Sequence, residues 1–347
     1  MKTIQTVTGP MALSEVTRIC PHEHLLLDLR HEAIEPTTQK EKDLFYGDIT
    51  METLGELRRN PYIVQKNLLL SDEEMAVKEV KYLMDAGCNL LVDLTSIGIK
   101  RDVLALKRIS EKTGLKIVCG CGQFVHDSGI DRYRGMSAEK IAEDMIRDIE
   151  VGIDGTDIKA GAIGEIGTSE KIYPEEERGL EAAAIASNRT GLPIFVHTYP
   201  WSRAGLDAIE LLTSRGVTTD KICICHMDVR FDEEYMRTVM NRGAYLEFDN
   251  LGKEYVFEPA EGSFAGGPFE TDVDRVRMLK KLVDAGYKDR ILLSNDLCLR
   301  ASLHAFGGWG YDHMFKNFIP MMKMGGISQE SIDTMIDENP RRFLFAK

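Results

Sequence analysis

Short apolar runs alternate with longer amphipathic stretches along most of the chain. Eight runs stand out: "VTRIC" before His22, "NLLVDLT" (89–95), "LKIVCGCG" (115–122) and "AGAIGEIG" (160–167), then "LPIFVHT" (192–198), "KICICHMD" (221–228), "AYLEFD" (244–249) and "RILLSND" (290–296). Each is bounded by Gly, Pro or Asp and is short and continuously apolar, the pattern of a strand buried on both faces. Between them lie stretches with a helical apolar period. "SDEEMAVKEVKYLMDAG", with Ser71 as the expected cap and Gly87 as the stop, is one. "SAEKIAEDMIRDIEVG", "PEEERGLEAAAIASNRTG", "AGLDAIELLTSRG", "DEEYMRTVMNRG" and "VDRVRMLKKLVDAG" repeat it.

Parallel strands need crossover connections, and helices on the faces provide them. Eight such units predict an α/β fold, a TIM (β/α)8 barrel, with a doubly wound open sheet as the rival. The length of 347 residues fits one barrel domain over 1–347. Two segments depart from the repeat. Residues 1 to about 16 ("TVTGPMALSEV") predict a short N-terminal β-hairpin under the barrel. Residues 30–70 form a polar insertion after the first strand, expected to lie over the functional face.

Composition narrows the field. Forty-three basic against 56 acidic residues leave a net charge of −13, which speaks against nucleic acid as a partner. No apolar stretch reaches the roughly 18 residues of a membrane span, and the N-terminus lacks the apolar run of a secretory signal. Seven cysteines show no paired spacing and read as free thiols, so the expected location is the cytoplasm.

The candidate chemistry sits at the ends of the strands, where barrels carry their active sites. His22 and His24 follow the first strand; being two apart, they face one spot in an extended chain. Glu165 lies late in the fourth, His197 ends the fifth, His226 the sixth and Asp296 the eighth. Any one of these has a bland explanation as a cap or turn residue. Six imidazoles and carboxylates at the same end of five strands predict a metal site instead. Six ligands exceed one tetrahedral ion and suit two divalent cations sharing a carboxylate, with Asp296 also able to take a proton from the nucleophilic water. Zn2+ is the default for so many histidines, with Mn2+ or Co2+ as alternatives.

Those residues and the motifs around them resemble the phosphotriesterase family of the amidohydrolase superfamily. "RICPHEHLLLDL", "AGAIGEIGTSE", "GLPIFVHT", "KICICHMD" and "GGWGYDHMFKNFIPMM" follow its pattern in order, from near residue 3 to "ENPRRFLF". The likeness is greatest to the phosphotriesterase-homology and phosphotriesterase-related branch. It implies that His22, His24 and Asp296 serve the more buried metal, that His197 and His226 serve the more exposed one, and that Glu165 bridges. Many members bridge with a carboxylated lysine; here Lys159, the nearest lysine, lies at the start of the strand. A second departure is Phe124, where relatives commonly carry a tyrosine.

The resemblance implies a hydrolase in which hydroxide held between two metals attacks the carbonyl centre of an amide, ester or lactone. A phosphorylated sugar lactonase or a phosphotriesterase or phosphodiesterase is the alternative, and a metal-binding barrel without turnover a remote one. It also implies a homodimer. For the substrate, Arg230, Lys253 and Arg300 suggest an anionic small molecule, with Tyr199, Tyr255 and Phe124 as further contacts. Arg203, Trp201, Asp228, Asp249 and Cys298 lie on the same loops. His126, His304 and His313 read as polar loop residues rather than ligands, and His31, following the first strand's exit, is within reach of the pocket without being a candidate ligand.

Overall fold

All eight apolar runs become strands of one parallel sheet: β1 (Ile19–Glu23), β2 (Leu90–Asp93), β3 (Lys116–Cys121), β4 (Ala162–Gly167), β5 (Ile194–His197), β6 (Ile222–Ile224), β7 (Tyr245–Phe248) and β8 (Ile291–Leu293). These come from a computed structural model that describes residues 2–128, 131–256 and 265–345. Each strand pairs with its neighbours in chain order. The seam between β8 and β1 closes the ring. Asp296 N donates to His22 O at 3.2 Å, Ser294 Oγ donates to the same carbonyl at 2.6 Å, and the Glu23 carboxylate accepts from Asn295 N and Leu297 N. The fold is the expected TIM barrel.

Alternation along the strands divides the core in two. Ile19, Leu90, Val92, Val118, Ala162, Phe195, Cys223, Tyr245 and Leu292 fill the inside of the barrel. Their neighbours Cys20, Leu91, Ile117, Ile163, Ile194, Ile222, Leu246 and Ile291 face outward into the layer beneath the helices. Two residues further along the same inward rows stand His197, Glu247 and Ser294, and then Asp249 and Asp296. The interior therefore changes from apolar to polar towards the strand C-termini.

The six expected helical stretches all become helices, but one cap differs and further helices form, among them Gln39–Phe45 in the insertion and Ile319–Met324 and Asn339–Leu344 near the C-terminus. Glu73–Asp85 is capped by Asp72, whose side chain accepts from Met75 N at 3.0 Å, not by Ser71. The helix Val103–Thr113, absent from the periodic stretches singled out, is capped by Asp102 and stopped at Gly114 in a left-handed conformation. The hairpin pairs Thr3–Thr6 with Gly9–Ala12 and sends Ile4 and Met11 into the barrel's lower end beside Phe343 and Phe345. The insertion is bracketed by an antiparallel pair, Leu27–Asp28 with Leu69–Leu70. No described helix is long and apolar enough to cross a membrane.

Candidate metal centre

Two local irregularities build the site. A regular β1 with Ile19 inward would turn His22 outward, and a regular β4 with Ala162 inward would do the same to Glu165. Each strand instead carries one extra residue against its partner: β1 between Cys20 and Glu23, β4 between Ile163 and Ile166. Such bulges re-aim a side chain, and here they turn His22, His24 and Glu165 into the barrel. Strand β1 also runs further than expected, so His22 lies within it. Gly164 makes the β4 irregularity possible: a Cβ there would stand 2.6 Å from Phe195 O, and its φ is +133°. At the ends of β6 and β8, His226 (φ 62°) and Asp296 (φ 44°) adopt left-handed conformations that non-glycine residues rarely hold away from functional sites.

The side chains converge. His24 Nε2 is 3.4 Å from Glu165 Oε2 and 3.0 Å from Asp296 Oδ1. His22 Nε2 lies 3.5 Å from Glu165 Oε1 and 3.8 Å from Asp296 Oδ1. On the other side, Glu165 Oε1 is 2.9 Å from His226 Nε2 and 3.3 Å from His197 Nδ1. Of three groups among the described residues that could hold a cation, two, His22–His24–Glu165 and Glu165–His197–His226, share Glu165; the third is His22–Cys225–Glu247–Asp249. Asp296 stands against the first. Lys159 precedes β4, at the opposite end of that strand.

On His22, His24 and His226 the other ring nitrogen is held from behind, which fixes which nitrogen faces the centre. His22 Nδ1 meets Glu247 Oε2 at 3.0 Å and Asp249 Oδ2 at 3.3 Å; His226 Nδ1 meets Asp249 Oδ1 at 3.1 Å; His24 Nδ1 meets Thr95 Oγ1 at 2.9 Å. Glu247 and Thr95 carried no signal in the sequence beyond lying in strands. Asp249, which reads there as a loop residue near the substrate, is wholly buried in this supporting role.

The donor set fits metal. His22 Nε2 is buried and has no hydrogen-bond partner among the described residues, an orphan whose natural partner is a cation. The field also favours positive charge. Burial alone would lower His24, but hydrogen bonds to Asp296 and Glu165 hold it up at about 9. Burial is likewise outweighed at His226 by Asp249 and Glu165, which push it up to about 10. His197 is lowered, by burial and by the charge of His226. Burial would raise Glu165, yet His22, His197 and His226 hold it well below the usual carboxylate range. Cations bound to neutral imidazoles would take the place of those protons.

A cavity opens over this centre. Its walls are mostly apolar, including Leu29, Ile99, Phe124, Val229, Phe269 and Leu299, with Glu32, Tyr62, Asn250, Lys253, Tyr255 and Cys298 as polar additions. Of the expected substrate contacts, Phe124, Lys253 and Tyr255 line it. The Phe124 ring stands 4.5 Å from that of His197, and the Lys253 ammonium is paired with Asp296 Oδ2. The structure does not bring the other three into the cavity. Arg230 is exposed and lines an adjoining polar cleft with Thr198, Ser202 and Arg203, which meets the cavity at Pro200 and His226. Tyr199 packs on Trp201, 5.4 Å between ring centres. Arg300 lies over Phe306 and faces a separate small pocket; the chain turns there, after Leu299, away from the barrel mouth.

Other polar loop residues have structural partners. Asp228 is buried in an ion pair with Arg275, Arg203 is held by Asp232 and Glu234, and His126, His304 and His313 pair with Glu176, Asp312 and Asp272. His31 lies outside the cavity, its ring 6.4 Å from Phe124.

Residues 2–344 match the family model described as "Phosphotriesterase family". An N-acetyltaurine hydrolase of Xenopus tropicalis is 35% identical, the match spanning 99% of this chain and 98% of that protein. A resiniferatoxin-binding protein from Rhodobacter sphaeroides superposes with a TM-score of 0.95 at 36% identity, over 99% of this chain and 95% of the other. A variant of a Deinococcus radiodurans PTE-like lactonase superposes at 0.76 with 29% identity, over 99% and 100%.

Proposed function

The chain belongs to the phosphotriesterase family, and from that premise we propose that this hydrolase cleaves a small N-acyl amide with an anionic tail, using two divalent cations. The observation that carries the reading is the pair of ligand groups sharing Glu165. His22, His24 and Asp296 would hold one cation and His197 and His226 the other, with Glu165 on both. Zinc is the first choice for such a set, manganese or cobalt the alternatives. Bound there, the cations supply Lewis acidity for a carbonyl oxygen and for water. A glutamate bridge needs no CO2, so reconstitution with metal should be indifferent to bicarbonate.

The chain's own groups do the rest. Asp296 Oδ1, 3.0 Å from His24 Nε2, is the atom to receive the proton lost by the attacking water and to return it to the departing amine. The Lys253 ammonium on Asp296 Oδ2 keeps that carboxylate ionised beforehand. Apolar walls exclude bulk water and receive the acyl group. Among the described residues the Arg230 guanidinium has no ion pair, and its cleft meets the cavity beside His226; it is the group to bind a sulfonate or carboxylate tail. Lactone hydrolysis is the second reading, favoured by the likeness to the Deinococcus lactonase. On the same reading the protein works as a cytoplasmic homodimer, which sedimentation velocity checks.

The test is turnover of N-acetyltaurine, a lactone series, phosphorylated lactones and a phosphotriester by the metal-loaded protein. Amide cleavage is expected to lead. Asp296→Asn should lower kcat by about 10³-fold or more while two metals remain by elemental analysis. Turnover of phosphotriesters alone, or full activity in Asp296→Asn, would defeat the reading.

A further inference from the structure

The insertion after β1 brings one acidic group into the cavity that the reaction above does not use. Glu32 lies in the short turn Arg30–Glu32 and lines the same cavity as Glu165 and Asp296. Its Oε2 accepts from the Tyr62 hydroxyl at 3.2 Å. Tyr62 lies further along the same insertion, so the pair is set by one segment. No Lys, Arg or His pairs with Glu32 among the described residues. The same cavity is lined by the apolar side chains of Leu27, Leu29, Pro61, Ile99 and Leu299. An acid in such surroundings is costly unless something with a hydrogen to donate comes to it. Its carboxyl is pushed up to about 7, by burial and by the charges of Asp296 and Glu165, with Tyr62 pulling the other way.

The two faces of the site differ accordingly. Arg230, which has no ion pair among the described residues, lies in the cleft beyond Pro200 and His226. Glu32 is half-buried in the cavity over the metal-ligand candidates. A substrate whose anionic tail reaches Arg230 places its acyl group in the cavity with Glu32.

We propose that Glu32, supported by Tyr62, is a specificity-determining residue that selects acyl groups bearing a hydrogen-bond donor, a hydroxyl or an ammonium, over plain alkyl acyl groups of the same size. The inference rests on the amide-hydrolase reading above and adds the class of acyl group. Glu32 accepts the hydrogen bond and takes no part in bond breaking.

Three taurine amides of matched size provide the test: butyryl, 3-hydroxypropionyl and β-alanyl. The wild-type, metal-loaded protein should show kcat/KM about 10-fold or more higher for at least one donor-bearing amide than for butyryl, as one charge-assisted hydrogen bond predicts. Glu32→Leu should collapse that ratio to one or below. Glu32→Gln, whose amide oxygen still accepts, should keep a preference for hydroxyl and lose any for ammonium. A wild-type ratio near one overturns the proposal, as does a ratio that survives Glu32→Leu. If butyryltaurine is cleaved without donor preference, only this inference fails. If no amide is cleaved, the amide reading fails, and calorimetric binding of 3-hydroxypropionate, β-alanine and butyrate to the metal-loaded protein decides the donor preference by the same ratios.

Discussion

His22 shows how much of a residue's role lies outside its own position. One nitrogen is orphaned towards the centre, and the other is held by Glu247 and Asp249. Glu247 is wholly buried. Burial pushes its carboxyl up to about 7 even with His22 beside it and Cys225 Sγ donating to Oε2, so it is kept there at a cost that these two partners offset only in part. Glu247→Gln should therefore weaken cation binding by about 10- to 100-fold, the usual effect of removing a partner behind a ligand. Competition with a chromophoric chelator measures it, and unchanged affinity would show that Asp249 alone orients the ring. The six converging residues were legible in the sequence because imidazole and carboxylate at strand ends are uncommon together. Glu247, Thr95 and Glu32 were not, since a single acidic or hydroxyl residue in a strand or loop carries no signal until its neighbours in space are known.

At the scale of elements, the loops after β6 and β7 are tied to one helix by buried charge. Arg275, from the helix Asp272–Asp284, pairs with Asp228 and Asp272 and donates from Nη2 to Lys253 O at 2.9 Å. Asp272 Oδ2 also meets His313 Nε2 at 2.7 Å. That network sets the backbone carrying Lys253, and with it the partner of Asp296. Burial would raise Asp272, but His313 and Arg275 bring it below the usual carboxylate range. A carboxyl lowered on folding stabilises the fold fully above its unfolded pKa of about 4, and the gain is lost as pH falls through the lower folded value. Asp272→Asn should cost about 3–5 kcal/mol at pH 7, because it leaves buried partners uncompensated. The gap from wild type should narrow below pH 4 in thermal melts, and a constant gap would show that packing, not charge, was lost. Strand identity was readable from the apolar runs. The bulges in β1 and β4 were not, because an extra residue changes which side faces inward without changing composition.

For the whole molecule, the barrel is filled from below and worked from above. Ile4 and Met11 of the hairpin complete the apolar lower interior with Phe343 and Phe345, and Val7 N donates to Ile117 O at 2.8 Å. Deleting residues 2–12 uncovers that interior, so the truncated protein should melt well below the intact one, by about 3 kcal/mol or more for the two buried side chains alone. An unchanged melting temperature would mean that the lower end reseals without the hairpin.

The sequence by itself determined the number and order of the strands, six of the helices between them, the end at which the candidate site lies and the six residues that meet there. Those follow from local periodicity and from strand ends sharing one face in any parallel barrel. The tertiary structure alone decided which candidates reach the cavity. Lys253 and Tyr255 turn in, Arg230 faces a neighbouring cleft, Arg300 turns away, and the insertion delivers Glu32 and Tyr62. Loop direction depends on long-range packing and on where buried charges find partners, and neither is encoded in spacing along the chain.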